Sequence, residues 1–320
     1  MAERKIKSVS DADREIVVTR VFDAPRERVW EAWTDPKQVA RWWGPNGFTT
    51  KIEKMDFRVG GQWKHMMHGP DGTDYPNEST FTEIVKNERI CYSHAGGSEA
   101  PCKDFVWTFE DAGAGKTKLT LRIILENSAE RDKLVKEFGV DKGAHQTLGR
   151  FNDYLAVRAP EAFTITRVFD APRDLVFKVW TERDHLLKWF GPKGMPMKIG
   201  TLDLRPGGTF HYCLALPDGK EMWGKWTFRD IASPESIVLI SSFSDAAGGI
   251  TTHPFAKDWP RETLSATTLE EENGKTRLTL RWVPYNATDA ERKVFSDGHA
   301  SMEQGWGGTM EALTNYLATL

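Results

Sequence analysis

The sequence predicts an α+β fold built twice in tandem. In each copy a curved antiparallel sheet is expected to wrap around a long C-terminal helix, with two short helices at one end. Three observations carry this. Thr166–Arg173 (TRVFDAPR) repeats Thr19–Arg26 letter for letter. Between the repeated stretches, apolar and polar residues alternate with the period of two that marks strands with one covered face. Each copy then closes on apolar residues spaced three and four apart, the stripe of a packed helix.

The echo continues with Trp180 for Trp33, Trp189 for Trp42 and Gly191-Pro192 for Gly44-Pro45. Thr19 and Thr166 stand 147 residues apart, as do Gly60 and Gly207. A repeat of so long a period means two whole domains, not a solenoid. Lys116 and Lys275 stand 159 apart, so the second copy gains 12 residues between His94/Ser241 and Phe105/Leu264. The expected organisation is an N-terminal arm over 1–14, a first domain over 15–158 and a second over 159–320, joined near Arg158-Ala159-Pro160.

In chain order, Ile16 to Phe22 is β-branched and aromatic and reads as a strand. Asp23-Ala24-Pro25 follows as a helix start, with Asp23 or Ala24 as the cap and Pro25 at the first helical position. Val29, Trp30 and Trp33 give that helix an apolar face. Asp35-Pro36 starts a second short helix, stopped by Gly44-Pro45. The remainder is strand and turn: 51–57, 63–68, 78–85, 90–94, 105–109 and 118–125. The carboxylates and guanidiniums of Asp56/Arg58 and Asp203/Arg205 are expected to pair across strands, as structural groups.

The closing helix of the second copy begins at a capping box, Thr288 to Glu291. Met302, Trp306, Met310, Leu313 and Leu317 then share one face, and Leu148, Phe151 and Leu155 do so in the first copy. A break is expected around Ser296-Asp297-Gly298. Gly305, Gly307 and Gly308 weaken the helix, each by roughly 1 kcal/mol against Ala. They either let it approach the sheet closely or leave room beside it. A sheet gripping a helix in this way leaves a cavity between them.

Composition excludes several classes. The net charge is −3 with no basic stripe, so no nucleic-acid partner is expected. Three cysteines (Cys91, Cys102, Cys213) form no CxxC pair, which points to neither a disulfide frame nor a zinc site and fits a reducing, cytoplasmic setting. The polar N-terminus has no apolar core of a secretory signal, and no run of 18 apolar residues suggests a membrane span. Thirteen tryptophans imply either rigid packing or an aromatic-lined cavity.

The pattern V-x-R-x-F-x-A-P-x-x-x-V-W-x-A-W-T-D, then W-W-G-P, then D-x-R-x-G-G (Asp56 to Gly61, Asp203 to Gly208) resembles the SRPBCC superfamily, START-like proteins of the birch-pollen-allergen fold. Both copies are most similar to proteins related to the C-terminal domain of the activator of the heat-shock-protein-90 ATPase. Glu221 to Ile231 (EMWGKWTFRDI), Ser241 to Gly249 (SSFSDAAGG) and the closing GWGGTMEALTNYLA resemble its bacterial branch. The resemblance implies the helix-grip fold and a deep apolar cavity for lipids, polyketides or other hydrophobic molecules. The family name implies chaperone activation, which belongs to members with an extra N-terminal domain. Here a second copy stands instead.

The candidate binding residues are those expected on the inner faces: Trp63, His65, Tyr92, His94 and Trp107 in the first copy, and Tyr212, Trp226, Trp282 and Trp306 in the second. His253 and Trp259 join them from the inserted stretch, which is expected to be either a lid or a loop packed on the neighbouring domain. Such side chains are equally those of an ordinary core. His65 shares a strand face with Trp63 and Met67, and His94 with Ile90 and Tyr92. Each is either a core histidine satisfied by one hydrogen bond or a general base. Tyr212 for His65 and Ser241 for His94 argue against one reaction in both copies. His68 falls on the opposite strand face from His65, so a metal centre is not expected, nor is any cofactor.

The leading expectation is a protein that binds a small hydrophobic molecule without a committed chemical step. The alternatives are a co-chaperone stimulating a heat-shock-protein-90 ATPase, and an enzyme of cyclase or hydrolase type using His65 or His94.

Overall fold

A computed structural model describes residues 13–94, 103–192, 194–254 and 256–320. Cys102, Phe255 and all but the last two residues of the expected N-terminal arm lie outside these. The chain parts into two compact units, the first ending at Leu155 and the second starting at Ala156.

Unit 1 opens with β1 (Glu15–Phe22), α1 (Arg26–Thr34) and α2 (Pro36–Trp42). Six strands follow: β2 (Thr49–Met55), β3 (Gln62–His68), β4 (Asp74–Val85), β5 (Arg89–His94), β6 (Lys103–Asp111) and β7 (Thr117–Ile124). Helices α3 (Ser128–Phe138) and α4 (Val140–Ala156) close it. The described residues form one antiparallel sheet ordered β1-β7-β6-β5-β4-β3-β2, so the first strand pairs with the last, with Val18 opposite Leu121. The alternation on β7 is the reason: Leu119, Leu121 and Ile123 are buried, while the residues between them are not.

Unit 2 repeats the order. It runs β8 (Phe163–Phe169), α5 (Arg173–Thr181), α6 (Arg183–Trp189), β9 (Met197–Leu202), β10 (Thr209–Ala215), β11 (Glu221–Ala232) and β12 (Ser236–Ser244). Then come β13 (Ile250–Thr251), β14 (Glu262–Glu272), β15 (Lys275–Tyr285), α7 (Asp289–Asp297) and α8 (His299–Leu317). Its sheet is ordered β8-β15-β14-β12-β11-β10-β9, and the inserted β13 pairs with β12. Each unit has the α+β, helix-grip architecture, and each encloses its own apolar cluster.

The two short helices plug one end of each sheet, held by the same bonds in both copies. Trp42 Nε1 donates to Ala32 O and Trp189 Nε1 to Val179 O, both at 3.0 Å. Thr117 Oγ1 donates to Ala24 O and Thr276 Oγ1 to Ala171 O, both at 2.7 Å. Asp35 caps α2 as expected, accepting from Lys37 N at 2.9 Å. The start of α1 differs from expectation. Pro25 is itself the cap, extended at ψ 150°, and neither Asp23 nor Ala24 supplies a side-chain bond. With the ring fixing φ near −60°, that extended ψ is enough to turn the chain into the helix. The break in the closing helix of unit 2 falls at Gly298, between α7 and α8, and Thr288–Glu291 forms the capping box.

The repeated D-x-R-x-G-G motif is a turn. Asp56 pairs with Arg58 at 3.0 Å and Asp203 with Arg205 at 2.9 Å, within the motif and not across strands as expected. The chain leaves the ladder after Met55, so the two side chains meet around the bend. Gly60 N donates to Phe81 O and Phe81 N to Gly61 O, which fastens the turn to β4. A Cβ on Gly61 would stand 2.0 Å from Asp56 O, and one on Gly208 2.2 Å from Asp203 O. No L side chain fits without breaking the turn. Gly61→Ala and Gly208→Ala are each expected to cost about 2–3 kcal/mol of stability. Urea unfolding followed by tryptophan emission checks this; an unchanged midpoint in either variant contradicts it.

Candidate functional site

A hollow lies between sheet and closing helices in each unit. In unit 1 it measures about 860 Å³. The period of two puts Trp63, His65 and Met67 of β3 on its wall, and the antiparallel register extends the wall across the sheet. Trp63 lies opposite Ser79 and His65 opposite Asn77. Ser79 in turn lies opposite His94, and Phe81 opposite Tyr92. Trp107 and Phe105 continue the wall on β6, Leu121 and Ile123 on β7. The facing side comes from α4, through Gly143, Ala144 and Thr147, and from α3, through Glu130, Lys133, Leu134 and Phe138.

All five candidates of the first copy are therefore on one wall. Trp63 and Trp107 are fully buried and form its backing. Trp107 Nε1 donates to Tyr92 Oη at 3.4 Å. Burial raises the Tyr92 phenol far above its ordinary value, more than that bond lowers it, so it stays protonated. His65 stacks on Trp63 at 4.5 Å and meets Trp43 edge-on at 6.0 Å. Burial, and to a lesser degree nearby His94, pulls His65 down to about 4. The imidazole is thus neutral over the ordinary range. Its Nδ1 and Trp63 Nε1 are buried with no hydrogen-bond partner among the described residues. His94 Nδ1 shares a hydrogen bond with Ser79 Oγ at 3.2 Å. His68 is on the outer face, 2.6 Å from Asp74. Among the described residues no group of His, Cys, Asp and Glu has the arrangement of a metal site.

The unit 2 hollow measures about 550 Å³. All six candidates of the second copy line it: Tyr212, Trp226, His253, Trp259, Trp282 and Trp306. Tyr212 lies opposite Gly224, and a Cβ there would be 2.3 Å from the phenol Cζ, so the glycine makes the space in which the ring lies. Burial raises the Tyr212 phenol strongly, against a hydrogen bond to Trp226 that lowers it. The inserted segment folds over the same hollow. His253 packs on Phe243 at 4.5 Å, and burial lowers its pKa. Trp259 packs on Phe295 at 5.3 Å and Trp282 at 6.2 Å. On α8, Gly305 lines the hollow, and a Cβ added there meets nothing within 4 Å. Here the helix glycine leaves room.

Several wall residues escaped the sequence. Trp43 was read as helix, although its place after Trp42 put it at the plug's inner edge. Ser79 and Asn77 depend on strand register, which one chain does not reveal. Helix α3 was missed, yet Asn127 caps it by accepting from Glu130 N at 3.0 Å and Gly139 ends it at φ +58°. That Asn–Gly bracket was a usable signal.

The sequence profile of the activator of Hsp90 ATPase homolog 1-like protein family matches residues 23–156 and again 170–318. No curated protein matches the chain. Among solved structures, a protein from Arthrobacter aurescens is 26% identical over 48% of this chain and 91% of its own, with a TM-score of 0.44. A protein from Mycobacterium smegmatis is 27% identical over 48% of this chain and 88% of its own, with a TM-score of 0.40. The di-domain ARO/CYC BexL from the BE-7585A biosynthetic pathway is 16% identical over 95% of this chain and 98% of its own, with a TM-score of 0.45.

The low His65 pKa makes unit 1 sensitive to acid. Unfolded, the group titrates near 6.5; folded, near 4. Between those values the unfolded chain takes up a proton that the folded chain does not. The stability is complete above pH 6.5 and is lost as pH falls toward 4, by about 3 kcal/mol in all. His94, Tyr92, Glu130 and Lys133 line the same hollow, so the measurement isolates His65 by difference. His65→Phe keeps the stack on Trp63 and is expected to lose less stability than the parent chain between pH 7 and 4.5. Parallel losses in urea titrations at the two pH values refute it.

Proposed function

The chain belongs, in both halves, to the activator of Hsp90 ATPase homolog 1-like family, and from that premise we propose that each unit binds a small, largely apolar molecule between its sheet and its closing helix. The observation that carries the reading is the hollow itself. Protein interiors are packed so closely that voids much larger than a water molecule are few. Two hollows of about 860 and 550 Å³, in the same place in two copies, are of the size that holds ligands. Their walls are largely apolar, with several Trp, Tyr and Phe rings and a few polar groups, the composition that binds rings and aliphatic chains. Binding is proposed without a chemical step; the one hydroxyl–imidazole pair seen on the first wall is Ser79–His94 at 3.2 Å.

The helix glycines provide the test. A Cβ on Gly143 meets only Pro45 Cγ, at 3.5 Å, and one on Gly305 meets nothing within 4 Å. Gly143→Phe is therefore expected to fill the first hollow, and Gly305→Phe the second, with both helices retained. N-phenyl-1-naphthylamine, an uncharged dye that brightens on leaving water, is expected to bind the parent chain saturably at two sites. Each variant is expected to lose one of them. A rise in emission that never saturates, or two sites surviving in both variants, refutes the reading.

A further inference from the structure

We propose that the unit 1 hollow takes its ligand by an uncharged hydrogen-bonding head, a hydroxyl or carbonyl on a flat apolar body, set against the row His65, Asn77, Ser79 and His94. The inference rests on the reading of that hollow as a ligand site and adds what the ligand must carry.

The row follows from strand register. His65 is directly opposite Asn77, and Ser79 directly opposite His94, so the four side chains cross three neighbouring strands on the concave face. All four line the hollow, and the surrounding wall is aromatic. Within the row, bonds are incomplete. His94 and Ser79 hold each other at 3.2 Å, and Asn77 Nδ2 donates to Tyr75 O at 2.8 Å. His65 Nδ1 has no partner among the described residues, although the side chain is only 4% exposed. Stacked on Trp63 and edge-on to Trp43, the imidazole is held in place and cannot turn to water without giving up both contacts. A buried polar atom kept unpaired is costly, and sites that keep one are commonly completed by something the protein chain does not supply.

The missing group is neutral. A neutral imidazole, an amide and a hydroxyl offer donors and acceptors but no charge. Lys133 also lines the hollow but is exposed on α3, and Glu130 of the same helix has a buried Oε2 with no hydrogen-bond partner among the described residues. An ionised carboxylate brought to the row would lose its water without gaining a counter-ion. Unit 2 shows what the same scaffold does without the row. Its equivalent positions are Tyr212, Gly224, Trp226 and Ser241, in the same cross-strand pairs. Two rings stand where unit 1 keeps small or polar side chains.

Displacement of N-phenyl-1-naphthylamine tests this, with three probes of one shape: naphthalene, 2-naphthol and 2-naphthoate. In Gly305→Phe, which keeps the first hollow, 2-naphthol is expected to displace the dye at about tenfold lower concentration than naphthalene, and 2-naphthoate to be weaker than 2-naphthol. In Gly143→Phe, which keeps the second, the advantage of the hydroxyl is expected to shrink toward onefold. His65→Phe on the Gly305→Phe background is expected to erase it while naphthalene still binds. His65→Gln, which restores hydrogen-bonding capacity, is expected to recover part of it. Equal displacement by naphthalene and 2-naphthol from the first hollow overturns the inference and leaves the binding reading intact. So does a hydroxyl advantage that survives His65→Phe, or stronger displacement by 2-naphthoate. Absence of any saturable dye site overturns both.

Discussion

The Trp33 indole is the contact on which unit 1 is built. Fully buried, it meets Trp43, Phe57, Trp63, Tyr92 and Trp107 with ring centroids 5.6 to 6.3 Å apart. These rings come from α1, the loops after α2 and β2, and strands β3, β5 and β6. One side chain thus ties the short helices to the middle of the sheet. Its Nε1 has no hydrogen-bond partner among the described residues, and the same is true of Trp180 in unit 2. Magnitudes explain why this is tolerated. Burying 150–250 Å² of ring at about 25 cal/mol per Å² stabilises by about 4–6 kcal/mol, against about 1–3 for the unpaired N–H. The hollow begins where this cluster ends: Trp43, Trp63, Tyr92 and Trp107, which pack on Trp33, also line it.

The two copies then fill that space differently, and one indole changes strand between them. Small Ser79 on β4 faces unit 1, and Trp226 on β11 takes its place in unit 2. Trp107 on β6 lies opposite Ile90, whereas buried Thr267 on β14 lies opposite Ile237. An indole has moved from one strand to another while the order of the shared strands stayed the same. The hydrogen bond from an indole to a buried phenol moves with it, from Trp107–Tyr92 to Trp226–Tyr212. What is kept is the pair, not its address.

This bears on what could be read from the chain. The parity of a strand is visible in one sequence, so the inward facing of Trp63 and His65 was legible, as were the two-domain architecture and the helix stripes. The contact between Ser79 and His94 was not. It depends on which residue of β4 meets which of β5, and a bulge between Phe81 and Glu83 shifts that count. The same holds for Tyr212 lying over Gly224, where the informative residue is one with no side chain. The D-x-R-x-G-G motif was recognised as a pattern but given the wrong contacts, because its charges meet around a turn whose path depends on glycines and not on strand pleat.

The inserted segment of unit 2 completes the contrast. In unit 1 the rim of the hollow is shared with α3, whose Phe138 is 68% exposed. In unit 2 the corresponding helix, α7, turns a buried Phe295 inward, and Trp259 of the insertion packs on it. With Tyr212 and Trp226 already projecting from the sheet, this third ring narrows the second hollow to about 550 Å³. Rings from the sheet and from the insertion thus wall the second cavity. The cavity of about 860 Å³ keeps instead the cross-strand row of His65, Asn77, Ser79 and His94. The polar row lies in the larger of the two, and in the smaller one the equivalent positions of His65 and Ser79 are taken by Tyr212 and Trp226.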